Sequence, residues 1–100
     1  MRKVLLDLNP ARSVEWIHEY LKFELEFGDH YGCNLDALYD ELSTITEDIC
    51  AGFFCPPKGE DHLSVYLERV KKVMKDAERD NPHLCVIFGD MEDNYEEDII

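Results

Sequence analysis

Asp36, Tyr39, Asp40 and Ser43 are spaced i, i+3, i+4 and i+7, so on a helix they share one face. That face offers two carboxylates, a phenol and a hydroxyl, and no Lys or Arg occurs between Lys22 and Lys58 to neutralise it. Three uses suit such a set. Two carboxylates one turn apart could work as a general acid and base, and Cys33, just ahead of the helix, could be a thiol nucleophile. Yet no base accompanies Cys33 in the sequence, and the neighbouring carboxylates oppose thiolate formation, so an enzyme is not expected. The bland use is a solvated helix face. The third is a rigid acidic patch aimed at a basic partner: carboxylate–arginine hydrogen bonds are short and often bidentate. A helix also spaces the carboxylates before binding, which leaves little ordering cost.

Metal chemistry is poorly served. Cys50, Cys55, His62 and His83 are the donors that could gather, but the cysteines lack a C-x-x-C spacing and no usual zinc pattern connects them. No metal and no cofactor are expected. Cys50 and Cys85 fall in apolar runs and read as packing residues, and all four cysteines as reduced thiols.

The elements that must hold the acidic face follow from periodicity and turn signals. Asn34 is a strong N-cap type for a short helix whose Leu35, Leu38 and Leu42 turn toward a core. Upstream, Lys3 to Leu8 reads as a buried strand ended by Asn9-Pro10. Ser13 caps a helix with the stripe Val14, Ile17, Leu21 and Leu25, widened by Trp16, Tyr20 and Phe23 and stopped at Gly28. His18 beside that stripe reads as a packed histidine. Downstream, Ile49 to Phe54 reads as a second strand, in which Gly52 either argues against a strand or marks a bulge or a close backbone approach. Asp61 caps a longer helix with the stripe Leu63, Leu67, Val70, Met74 and Ala77, flanked by Tyr66 and Val73 and ended by Asn81-Pro82. Leu84 to Phe88 is a third strand, ending at Gly89. Strand–helices–strand–helix–strand makes the chain α/β, with sequential parallel strands as the default.

Charge narrows the partners. The chain has 10 basic against 23 acidic side chains, a net charge of −13. Six of the acids lie in Asp90 to Ile100 with no base among them. This balance disfavours nucleic acid and anionic membrane and favours basic proteins, because complementary fields speed association. No run of about 18 apolar residues suggests a membrane span. The N-terminal residues do not read as a signal peptide, so a cytoplasmic location is expected.

The run Tyr31-Gly32-x-Asn34-Leu35-Asp36-Ala37-Leu38-x-Asp40, eight matches in ten positions, resembles the signature of the barstar family, intracellular inhibitors of secreted microbial ribonucleases. Arg12-Ser13, His18, Leu21-Lys22 and Glu24-Leu25 fit the same pattern, and Val70 to Phe88 matches it more loosely. Between Pro56 and Leu63 the chain is shorter than the family type. The resemblance implies a two-layer fold, a three-stranded parallel sheet in order 1-2-3 with helices on one face. The chain then divides into a barstar-like domain, 1–89, and a tail, 90–100, that the resemblance does not cover and whose dense acid and lack of pattern read as flexible.

The resemblance further implies that the signature helix and its preceding loop plug a ribonuclease active site, with carboxylates where RNA phosphates would sit. Asp40 corresponds to the central carboxylate and Asp36 to a second acidic contact. His30 stands where the family has Tyr, Tyr39 where it has Trp, and Ile45 replaces another aromatic. Asp76 and Asp80 match acidic contacts on the last helix, each shortened from Glu. With Gly32, Asn34, Leu35 and Ser43 from the signature region, these residues form the expected protein-binding surface. The partner implied is a basic, barnase-like ribonuclease or a related ribonuclease toxin to which the chain gives immunity, bound by a protein that is monomeric when free. The competing expectation is an acidic binding module for a basic partner that is not a nuclease.

Overall fold

A computed structural model describes residues 1–56 and 59–89; the expected acidic tail, 90–100, lies outside the described residues. The elements run β1 (Arg2–Asp7), α1 (Val14–Leu25), α2 (Leu35–Ser43), β2 (Ile49–Phe54), α3 (His62–Asp80) and β3 (Leu84–Gly89). The three strands form one parallel sheet in the order β1-β2-β3, as expected.

Alternation along the strands separates the two faces of the sheet. Val4 and Leu6, then Ile49, Ala51 and Phe53, then Leu84 and Val86 are buried and face the helices. Ile17 and Leu21 of α1, Leu38 and Leu42 of α2, and Val70, Met74 and Ala77 of α3 close over them without measurable exposure. The other face is open, with Leu5 at 63 % and Ile87 at 57 % exposure. Parallel sheets are usually covered on both sides, so this is a two-layer α/β fold.

Side chains also protect the sheet edges, which otherwise present unpaired backbone groups. On β3, the Val86 N–H donates to the Glu78 carboxylate (2.8 Å), and Lys75 donates to the Val86 carbonyl (3.1 Å). The hydrogen bond from Val86 is the main reason the Glu78 carboxyl is held below its ordinary pKa. On β1, the Asp7 N–H donates to the Tyr20 hydroxyl (2.9 Å).

Three expectations need correction. The first concerns the end of α1, which stops at Leu25 rather than at Gly28. Its cap is Glu26, in the left-handed region (φ 59°, ψ 41°), with both the Glu26 and Phe27 N–H groups returning to the Lys22 carbonyl. That turn swings Phe27 into the core, where its ring lies 4.8 Å from that of Tyr31. Burying an aromatic outweighed the preference for glycine. Arg2 then donates to the Glu24 carbonyl (3.1 Å), one of the orphan acceptors at the helix end.

The second correction is to the apolar stripe of α1. Phe23 is 78 % exposed and Val14 38 %. At about 100° per residue Phe23 points away from Ile17, Leu21 and Leu25, so it cannot widen their face. Val14, the first residue of the helix, lines a surface groove with Val65 and Tyr66 of α3 instead of joining the stripe over the sheet. Trp16 and Tyr20 do pack, stacked at 5.0 Å.

Gly52 is the third. The ladder register is unbroken through it, so there is no bulge. The nearest atoms a Cβ would meet lie 3.5–3.6 Å away, which is ordinary contact and not a close backbone approach. Nothing in the structure requires glycine there.

Candidate functional site

The loop before α2 is anchored from behind. Tyr31 is buried, and its hydroxyl shares a 2.7 Å hydrogen bond with His18 Nδ1. His18 Nε2 meets the Tyr66 hydroxyl at 2.6 Å. A neutral imidazole has one donor and one acceptor nitrogen, so one tyrosine receives a proton from the ring and the other gives one. His18 is fully buried, and loss of water lowers its pKa while raising that of Tyr31. The expected packed histidine is thus a polar tie between α1, the loop and α3.

From that anchor the chain makes a tight entry into α2. A Cβ on Gly32 would meet the Ala37 Cβ at 3.3 Å, so glycine lets the loop lie close against the first turn. Cys33 is the residue that takes the left-handed conformation (φ 56°). Asn34 caps the helix as expected, its Oδ1 accepting from the Ala37 N–H at 2.7 Å. Leu35 is half-buried against the core, while Leu38 and Leu42 are fully inside. His30 closes the loop onto the helix, Nε2 to Glu41 Oε2 at 2.6 Å.

The other end of α2 is held by a residue that turn signals had marked only as a helix stop. Asn81 is buried, and its Nδ2 donates to the carbonyls of Leu42 (2.9 Å) and Ile45 (3.0 Å). Its Oδ1 accepts from the His83 N–H at 2.9 Å. A nine-residue helix is marginal alone, and Asn81 satisfies carbonyls at its C-terminus that would otherwise be orphaned. Nothing in the sequence distinguishes this asparagine from an ordinary N-P turn.

Between these anchors Asp36 and Asp40 are exposed on the outward face. Among the described residues neither carboxylate makes an ion pair or a hydrogen bond. Ser43 is on the same side but its hydroxyl donates back to the Asp40 carbonyl (3.1 Å), as does that of Thr44 (3.0 Å). Tyr39 is half-buried, and its hydroxyl donates to Asp80 of α3. That bond raises the Tyr39 pKa and, with help from Arg79, lowers that of Asp80.

The two acids of α3 therefore differ from those of α2. Asp80 also pairs with Arg79 Nε (3.3 Å), and Asp76 with Lys72 (3.1 Å) and Arg79 (3.4 Å). The structure brings Asp80 to Tyr39 and leaves the Asp36 and Asp40 carboxylates without an ion pair among the described residues. No group of three or more potential metal ligands assembles among the described residues, and no described helix is long and apolar enough to cross a membrane.

Comparison with known proteins adds an independent finding. The family model described as Barstar (barnase inhibitor) matches residues 1–99. A protein of Bacillus subtilis (strain 168) named "Putative ribonuclease inhibitor YrdF" is 46 % identical over 43 residues, 43 % of this chain and 47 % of that protein. The match thus spans about half the length of that relative.

Proposed function

The chain belongs to the barstar family, and from that premise we propose that it is a protein inhibitor of a basic, barnase-like ribonuclease, or the immunity protein of a related ribonuclease toxin. The observation that carries the reading is the pair Asp36 and Asp40: exposed, unpaired among the described residues, and fixed on a helix capped at one end by Asn34 and at the other by Asn81. An enzyme that cleaves RNA needs cationic groups to hold phosphate and stabilise developing charge. Carboxylates held in helical register can meet those groups and offer no bond to cleave.

In this reading Asp40 enters the centre of the cleft and Asp36 meets its rim. Tyr39 adds apolar area with one polar tip, a good interface anchor. Its bond to Asp80 fixes the ring before binding, so little freedom is lost on docking. His30 and Gly32 shape the loop that lies beside the helix. Asp76 and Asp80, partly neutralised within α3, steer the partner more than they bind it. The protein performs no catalysis; it acts in the cytoplasm by occupying a site.

Titration into assays of barnase-like and toxin-type ribonucleases tests the proposal. Stoichiometric loss of activity is expected, with association slowing as salt shortens the Debye length to about 8 Å at 0.15 M. Capture of a basic partner without nuclease activity, and no inhibition of any ribonuclease, would instead favour the general acidic binding module.

A further inference from the structure

Cys50 and Cys85 belong to none of the contacts above. They are paired residues of β2 and β3, half-buried free thiols on the sheet face that the helices leave open. Their chain neighbours Ile49, Ala51, Leu84 and Val86 supply the core, so packing alone does not account for two cysteines side by side.

Paired residues of adjacent strands point the same way, with strands about 4.8 Å apart. That lies within the range of about 4.4–6.8 Å between the Cα atoms of disulfides. The two thiols face each other across the ladder, and the neighbouring Cys50 raises the Cys85 pKa. Lys3 completes the row on the far side of Cys50 and is exposed, a cation that suits an anionic thiol reagent.

We infer that Cys50 and Cys85 form a reversible dithiol–disulfide pair, oxidised by low-molecular-weight disulfides of the glutathione class. The Cys50 thiolate attacks one sulfur of the oxidant, forming a mixed disulfide and releasing one reduced thiol. Cys85 then attacks the Cys50 sulfur, its proton passing to solvent and the second reduced thiol departing. Two electrons and two protons leave the protein, and one oxidant molecule becomes two thiols. Disulfides prefer Cβ atoms about 3.8 Å apart, closer than the strand spacing of about 4.8 Å. Closing the bond therefore pulls on the ladder, and disulfides closed under load are the readily reduced ones. The pair sits on the sheet face away from α2, so the inference stands apart from ribonuclease inhibition.

The full chain, incubated in glutathione buffers of rising oxidised-to-reduced ratio, alkylated and mapped by peptide mass, tests it. The expected product is a single Cys50–Cys85 cross-link, lighter by two hydrogens and reversed by excess reduced glutathione. Cys50→Ser and Cys85→Ser should each replace it with a mixed glutathione disulfide on the remaining partner, whereas Cys33→Ser should leave it intact. Circular dichroism checks that each variant folds. Mixed disulfides on the wild type with no cross-link at any ratio would overturn the inference. A cross-link that forms only in urea, or one that joins Cys33 or Cys55 instead, would do the same.

Discussion

Two acidic surfaces of this protein use the same side chains in opposite ways. On α3, Asp76, Glu78 and Asp80 are engaged internally by Lys72, Lys75, Arg79, the Val86 N–H and the Tyr39 hydroxyl. On α2, Asp36 and Asp40 meet no cation among the described residues, and only Glu41 is engaged, by His30. Exposed ion pairs contribute little to stability, so α3 gains mainly order and edge protection. Asp36 gains something from the helix N-terminus, but Asp40, beyond the first turn, meets no charge among the described residues that stabilises it, which fits the proposed role of this face in binding. Acids unpaired among the described residues also occur on α1, at Glu15 and Glu19, so it is the family match at α2 that turns the contrast with α3 into a proposal about binding.

The largest expected effect separates the two surfaces directly. Asp40→Ala should weaken binding to a target ribonuclease by about 2–5 kcal/mol, mostly in the dissociation rate, a general magnitude for truncated buried charge pairs with this family's own complexes among them. Asp80→Ala should cost well under half of that. Binding kinetics of the two variants side by side settle it, and equal losses would erase the distinction between α2 and α3.

Next in size is the joint between the two regions. Asn81→Ala leaves the carbonyls of Leu42 and Ile45 without their donor, and should destabilise the fold by about 1–3 kcal/mol. Urea unfolding measures it. A loss near zero would mean that α2 holds its position without α3.

A pH effect tests the support behind the loop. Burial lowers the folded-state pKa of His18 below 6.5, so the unfolded chain binds the proton first. The contribution is complete above pH 6.5 and is lost as pH falls from there toward the folded pKa. Asp80, Asp61 and Glu78 also have depressed pKa values, but their losses begin only near the ordinary carboxyl range, at lower pH. The urea midpoint should therefore already fall between pH 7.5 and 5.5, and His18→Gln should flatten that segment of the profile. A midpoint that stays level in the wild type would place the His18 ring in contact with water.

The smallest expected change sharpens the comparison from the other side. Arg79→Gln removes the cation shared by Asp76 and Asp80. It should raise the association rate with a basic ribonuclease at low salt and shift stability by less than about 0.5 kcal/mol. Stopped-flow rates across a salt series would read this; an unchanged rate at low salt would show that the α3 acids lie outside the partner's field.

The sequence by itself determined the elements and the outward acidic face. Period-two and period-3.6 patterns arise from burial along each segment, and Asn34, Ser13 and Asp61 cap their helices through bonds only three residues long, so both are local. Tertiary structure decided what depends on distant partners. Asn81 bonds carbonyls 36 and 39 residues away, His18 reaches 48 residues to Tyr66, and Tyr39 reaches 41 to Asp80. Phe27's place in the core ended α1 before the glycine that local rules favoured. Which carboxylates remain unpaired also waited on the fold, because neutralisation depends on where Arg79 and Lys72 come to lie and not on how many bases the chain contains.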